Sequence, residues 1–177
     1  KGVTVSALLA KACAQVLLKH PILNAAYAND SIVYAEHVSI AMAVATPDGG
    51  LITPVLKDAD KADIYSLSRT WKDLVKRTME KKLSPGEYSG ANFYISNLGM
   101  FGVESFDAVL PPGAGSILAV AGSKPMVGVG KNGLIQVEKI MNVNITCDHR
   151  IIYGAQAAEF LKDLCDLLEN RVEELLL

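Results

Sequence analysis

The stretch Asn142-Val143-Asn144-Ile145-Thr146-Cys147-Asp148-His149-Arg150-Ile151-Ile152-Tyr153-Gly154-Ala155 decides how the rest of the chain is read. Its first half alternates apolar and polar residues, the period of a strand with one face on a core, and from Ala155 the spacing turns helical. A strand running straight into a helix predicts mixed elements packed in layers, an α/β fold of the α+β sandwich kind. His149 falls on the junction, where backbone is irregular and a side chain can face a cleft. An isolated Asp-His-Arg also admits a plain alternative, a strand-end histidine held between neighbouring charges.

Outward from that stretch, 177 residues suit one domain, residues 1–177, with one core. Half of the residues are apolar and 20% are charged, and mean hydropathy is +0.26. That is rich in apolar surface for a monomer, so part of it is expected at subunit contacts. Net charge is -2 and no basic run is interleaved with aromatics, which speaks against a nucleic-acid surface. The apolar runs fall short of the ~20 residues that span a bilayer and no signal peptide opens the chain, so a soluble protein without a membrane segment is expected. Cys13, Cys147 and Cys165 are odd in number and lack CxxC spacing, which suits a reducing compartment. A metal is not expected, because a site on Cys147 and His149 would need two more ligands and His20 and His37 are distant in sequence.

Thr4 is a plausible N-cap for a helix with Val5, Leu8, Leu9, Ala12, Cys13, Val16 and Leu17 on one face, ending at His20-Pro21. Asn29-Asp30 is a turn, residues 31–36 and 38–46 read as strands, and Pro47-Asp48-Gly49-Gly50 breaks the second. Residues 51–57 form a third candidate strand, with Pro54 arguing for an edge or irregular position. From Asp63 to about Lys82 a helix carries Leu67, Trp71, Leu74, Val75 and Met79 on one face and a basic run opposite. Residues 91–97 and 116–121 read as strands. Gly128-Val129-Gly130-Lys131-Asn132-Gly133 satisfies GxGxxG literally, but strand-like Leu134-Ile135-Gln136-Val137-Glu138 follows where a dinucleotide fingerprint needs a helix, so Asn132-Gly133 predicts a hairpin turn. A last helix over 155–175, roughly 30 Å long, should turn Ala158, Leu161, Leu164, Cys165, Leu168, Val172 and Leu175 inward.

Three strings in order then carry a resemblance. His149, Arg150 and Gly154 match an HRxxDG signature, Asn92-Phe93-Tyr94-Ile95-Ser96-Asn97-Leu98-Gly99-Met100-Phe101-Gly102 looks like a second, and Leu51-Ile52-Thr53-Pro54-Val55 a third. Together they resemble the acyltransferase domain of 2-oxo acid dehydrogenase complexes, the dihydrolipoamide acyltransferase family, whose fold is shared with chloramphenicol acetyltransferase. Tyr153 stands where that signature has an acid. The resemblance implies a chloramphenicol acetyltransferase-like mixed sheet flanked by helices, in a homotrimer assembled into a larger cage. Members of the family have a further N-terminal segment, with an arginine and a serine that help hold coenzyme A, together with lipoyl and subunit-binding domains. The chain is therefore expected to be the catalytic core without those parts.

The implied reaction moves an acetyl group between the thiol of a dihydrolipoyl arm, carried on a separate lipoyl domain, and that of coenzyme A. The partners it implies are that lipoyl domain and the pyruvate dehydrogenase and dihydrolipoamide dehydrogenase components. A thiol of ordinary pKa near ~8.5 is only a few per cent thiolate at neutral pH, so an imidazole is a suitable base, and His149 is the residue placed for it. Thiolate attack on the thioester makes a tetrahedral oxyanion, and the Ser96 hydroxyl is the candidate donor to it. Ser96 as a nucleophile is the competing idea, but the family transfers directly between thiols. Tyr153 is expected to tune or orient the site, since a phenol donates at neutral pH but hardly abstracts. By the same resemblance Phe106 and Leu118 lie along the coenzyme A side of the channel, with core packing as their alternative. Ser96-Asn97-Leu98 looks like the acetyl-transferring branch, and Tyr153 resembles plastid and cyanobacterial members, which implies the chloroplast stroma, with the mitochondrial matrix or a bacterial cytoplasm as alternatives. Two other functions compete: a catalytically silent core subunit, and a free-standing acetyltransferase for a small molecule.

Overall fold

The computed structural model describes residues 2–130 and 132–176. Its centre is a five-stranded mixed sheet built from β3 (Ile40–Met42), β6 (Val55–Leu56), β7 (Phe93–Asn97), β8 (Ser116–Val120) and β11 (Val143–Cys147). They lie in the order β11-β8-β7-β3-β6. β7 runs parallel to both β3 and β8, whereas β11 and β6 are antiparallel to their neighbours.

Residues directly opposite each other share a face, so the register sorts the sheet into two surfaces. Ile40, Met42, Phe93, Ile95, Leu118 and Val120 join the main core with residues of three helices, α1 (Val5–Leu17), α2 (Ile64–Met79) and α3 (Gly154–Asn170). The helices therefore cover one face. On the other face Ala41, Val55 and Ala91 form a small cluster against Tyr94, and Ser96 lies in a row with Ala119 and Asn144.

α1 starts where Thr4 Oγ1 accepts from the Ala7 amide at 3.2 Å. Its burial is broader than one face, because the helix packs against both α2 and α3 as well as the sheet. Ala7, Ala10, Ala12, Cys13 and Ala14 are all buried, and their small side chains let the neighbours approach, whereas Val5, assigned inward above, is exposed. Lys11 is drawn in too, at 3% exposure. Its ammonium donates to the carbonyls of Asp60 and Ala62 at 2.7 and 2.8 Å, which satisfies a charge that would otherwise be costly to bury.

Other segments follow local chemistry. Asn29 and Asp30 both take positive φ, 50° and 55°, and close the two-residue hairpin of β1 (Ala25–Ala28) and β2 (Ser31–Tyr34). Residues 38–46, expected as one strand, divide into β3 and β4 (Val44–Ala45), and residues 51–57 divide into β5 (Leu51–Ile52) and β6. The break falls at Thr53-Pro54, because proline has no amide to give a ladder; its carbonyl accepts from Met42, and β6 is the sheet edge. Asp63 caps α2 by accepting from the Ser66 amide at 2.9 Å. The GxGxxG string covers the end of β9 (Lys124–Val129) and its connection to β10 (Ile135–Ile140), an antiparallel hairpin with Gly133 at φ 78°, and Lys131 lies outside the described residues.

The last helix differs from its expectation. α3 ends at Asn170, where Arg171 leaves helical geometry at φ -140°, and 3-10 turns continue over Val172–Leu176. Its buried residues are Phe160, Leu164 and Leu167, while Ala158, Cys165 and Val172, expected inward, are exposed. Phe160, in ring contact with Phe93 at 5.4 Å, sets the rotation of the helix on the sheet.

Candidate active site

His149 sits in a short loop that joins β11 to α3. The Asp148 amide donates to the Gly115 carbonyl at 2.9 Å, and the amides of Ile151 and Ile152 both donate back to the Asp148 carbonyl. Ile151 and Ile152 are buried and anchor the loop, which leaves His149 and Arg150 exposed at its tip. Gly115 is required here because a Cβ on it would fall on the Ala25 carbonyl oxygen.

The charges beside the imidazole pair with each other. Arg150 donates through Nε to Asp148 Oδ1 at 2.8 Å and through Nη2 to Oδ2 at 2.6 Å, and its amide donates to Oδ1 at 3.1 Å. The guanidinium is the main reason the Asp148 carboxyl is held below the usual carboxylate range. Tyr153, the residue before α3, places its ring edge-on to His149, with centroids 5.6 Å apart at 77°. The residue types quoted as one string are thus together in space.

Ser96 is elsewhere. It is level with Ala119 of β8, which is level with Asn144 of β11, whereas His149 follows Cys147, level with Ser116 at the other end of β8. Three strand residues and two strand spacings put Ser96 and the start of the His149 loop on the order of 15 Å apart. A base must come within about 3 Å of the proton it takes, or work through one water, so the pair does not meet within one protomer. Ser96 borders instead a hollow of about 430 Å³ lined also by Trp71, Val75, Met79, Leu98 and Phe101. Its rim is a tight turn in which the Gly99 amide donates to Asn97 Oδ1 at 2.8 Å and Gly102 takes φ 65°. Trp71 is buried in the main core and Val75 packs against it, as their helical spacing suggests, whereas Met79 is exposed.

The two residues placed beside coenzyme A part company. Phe106 is half-buried in the segment after the turn, whose Asp107 accepts from Asn144 at 3.0 Å, so it shares the Ser96 end and face of the sheet. Leu118 corrects the expectation: it lies between Ile95 and Ile145 on the helix-covered face, at 0% exposure, and has no surface to offer a ligand. That is the packing alternative. His20 and His37 pair with Asp163 at 2.8 Å and Asp58 at 3.1 Å, and among the described residues no group of three or more His, Cys, Asp or Glu could hold a metal ion.

With that geometry in hand, likeness to known proteins can be weighed. The family model for 2-oxoacid dehydrogenases acyltransferase (catalytic domain) matches residues 1–177. Component 5 of the chloroplastic pyruvate dehydrogenase complex of Arabidopsis thaliana, a dihydrolipoyllysine-residue acetyltransferase, is 54% identical over 171 residues, 96% of this chain and 37% of that protein. The chain thus spans little more than a third of the curated relative. The cubic core of a pyruvate dehydrogenase multienzyme complex superimposes with TM-score 0.91 at 34% identity, covering 99% of this chain and 73% of that one. The Azotobacter vinelandii dihydrolipoamide acetyltransferase, studied for the role of a serine, a histidine and an asparagine in its catalytic mechanism, does so with TM-score 0.91 at 33% identity over the same shares. In that protein the histidine and the asparagine are four positions apart, as His149 and Tyr153 are here. A chloramphenicol acetyltransferase, at 12% identity and TM-score 0.60 over 94% of this chain and 78% of its own, shares the fold. By fold, motif order and match over its whole length, this chain belongs to the family of 2-oxoacid dehydrogenase acyltransferase catalytic domains.

Proposed function

We propose that the chain transfers an acetyl group between a dihydrolipoyl thiol and coenzyme A, as the core of a plastid pyruvate dehydrogenase complex. The observation that carries this is the placing of an exposed histidine of the family's signature, edge-on to Tyr153, on a loop held by hydrogen bonds to Asp148. In the forward direction the His149 imidazole takes the proton from the coenzyme A thiol. The thiolate attacks the acetyl thioester of the lipoyl arm, and the oxyanion accepts a hydrogen bond from the Ser96 hydroxyl. Collapse breaks the carbon–sulfur bond to the arm, and the imidazolium returns its proton to the departing thiolate. Phe106 would lie along coenzyme A at the Ser96 end, and Tyr153 holds the imidazole without itself acting as base. The lipoyl group arrives on a separate domain, with the pyruvate dehydrogenase and dihydrolipoamide dehydrogenase components as the other partners.

Because Ser96 and His149 lie out of reach of each other in one protomer, the working site is shared between neighbours in a homotrimer, and such trimers build a larger cage. The hairpin of β9 and β10 favours assembly: Val127, Val129, Leu134, Ile135 and Val137 are all strongly exposed, Ile135 at 78%. Apolar surface of that extent on a soluble chain marks a protein contact.

The test is acetyl transfer from acetyl-coenzyme A to free dihydrolipoamide, with Ser96→Ala and His149→Ala refolded separately and together. Random equal mixing leaves about a quarter of the interfaces of a cyclic trimer with both intact groups. Activity well above both parents supports the shared site. A mixture no better than its parents, with hybrid trimers verified by mass, rejects it.

A further inference from the structure

We propose that Tyr27 is a positioning residue for the His149 loop, acting through Arg150. The inference rests on His149 being the base, but its observations come from the far side of the loop, where β1 meets it. The guanidinium of Arg150 has two sides in use. Its edge donates to Asp148, and its face lies over the Tyr27 ring, with Cζ 4.1 Å from the ring centroid. The ring is itself pinned, because the Tyr27 hydroxyl donates to Asp30 Oδ1 at 2.7 Å across the β1–β2 turn.

Arg150 needs that second contact. Its side chain is 62% exposed while the Asp148 carboxylate is 10% exposed. A guanidinium this open is free to swing into water, and the buried carboxylate would then lose the partner that orders it. The aromatic face holds the cation in place from the solvent side. Asp148 in turn holds the loop at both ends: its carboxylate accepts from the Arg150 amide and its carbonyl from the amides of Ile151 and Ile152. His149 lies between Asp148 and Arg150, so a loop that loosens there moves the imidazole first. A displacement of even about 1 Å in a reacting group is costly to rate. The hairpin is a firm support, since Ala25 at its base abuts Gly115, whose carbonyl accepts from Asp148. Tyr27 touches no reacting atom in this scheme and acts by holding Arg150.

The experiment uses the assembled protein with Tyr27→Leu, Tyr27→Phe and His149→Ala. Phenylalanine keeps the aromatic face and loses only the hydroxyl, so it should restore what leucine loses. Tyr27→Leu should lower kcat for acetyl transfer about two- to fivefold, the factor that corresponds to one cation–π contact at an exposed site, with KM for both thiols unchanged. Amide hydrogen exchange of Ile151 and Ile152 should speed up by a similar factor, and the melting temperature should stay at the wild-type value. Wild-type kcat and exchange in Tyr27→Leu overturn the proposal. Equal impairment of the two variants, or a loss that follows KM or the melting temperature, overturns it as well. Should His149→Ala keep its activity, the base assignment fails on its own, and the exchange rates of Ile151 and Ile152 still decide whether Tyr27 holds the loop.

Discussion

The two ends of the central sheet are built from different materials. At the His149 end the contacts are polar and short, an Asp148–Arg150 pair and three backbone amides on one aspartate, and the imidazole is exposed with Tyr153 edge-on to it. At the Ser96 end the surroundings are mostly apolar, with Trp71, Val75, Met79 and Phe101 lining the hollow that Ser96 borders. The contrast matches the separate tasks proposed for the two residues. A group that moves a proton needs fixed orientation and access from outside, which hydrogen bonds to a loop provide. A donor to a developing oxyanion gains from a low local dielectric, where each electrostatic contact is stronger than in water. Within one protomer the two ends stay apart, and the function proposed above would have each meet its complement on a different neighbour.

The contrast can be broken or sharpened by substitution. The largest effect is expected at the polar end: His149→Ala should lose about 10²- to 10⁴-fold in kcat with an unchanged melting temperature, and steady-state rates of acetyl transfer check it. Retained activity would mean that the proton is moved by another group. Next comes Gly115→Ala, where the added Cβ meets the Ala25 carbonyl and nothing flexible can give way. Forcing a methyl into a packed joint costs about 1–3 kcal/mol, so urea or thermal unfolding should shift clearly while Gly113→Ala, with no neighbour within 4 Å, should suffer only from its own φ of 79°. Because the joint supports only the His149 end, the hollow around Ser96 should keep its shape, which the quenching of Trp71 fluorescence reports. The smallest effect is expected for Tyr153→Phe, which keeps the ring edge against His149 and removes only the hydroxyl: kcat should stay within about fivefold of wild type, since even one exposed hydrogen bond to a reacting group would be worth ~1 kcal/mol or less. A loss as large as that of His149→Ala would make the Tyr153 hydroxyl part of the chemistry.

How much of this was legible depends on how far apart the interacting residues are in the chain. Thr4 was readable as a cap because a cap acts over three residues, and Asn29-Asp30 as a turn because its strain is its own. The apolar face of α3 was read in part: Leu164 and, beyond the helix end, Leu175 are buried and Leu161 and Leu168 pack against the core as the spacing implies, but Phe160 and Leu167 were missed because Phe93 on the sheet turns the helix toward them. Lys11 and Arg150 were unreadable in their actual roles, since the carbonyls of Asp60 and Ala62 and the ring of Tyr27 are brought to them only by the fold.

For this protein the sequence by itself determined most of the local elements and the family, because caps, turns and signature strings are encoded within a few neighbours. Only the tertiary structure decided that Leu118 packs the core while Phe106 shares the Ser96 end, and that Ser96 and His149 lie at opposite ends of one sheet. The reason is strand pairing. Which residue of β7 lies level with which residue of β11 depends on β8 between them, parallel to the first and antiparallel to the second, and that order is fixed by burial of a common helical layer across the whole chain.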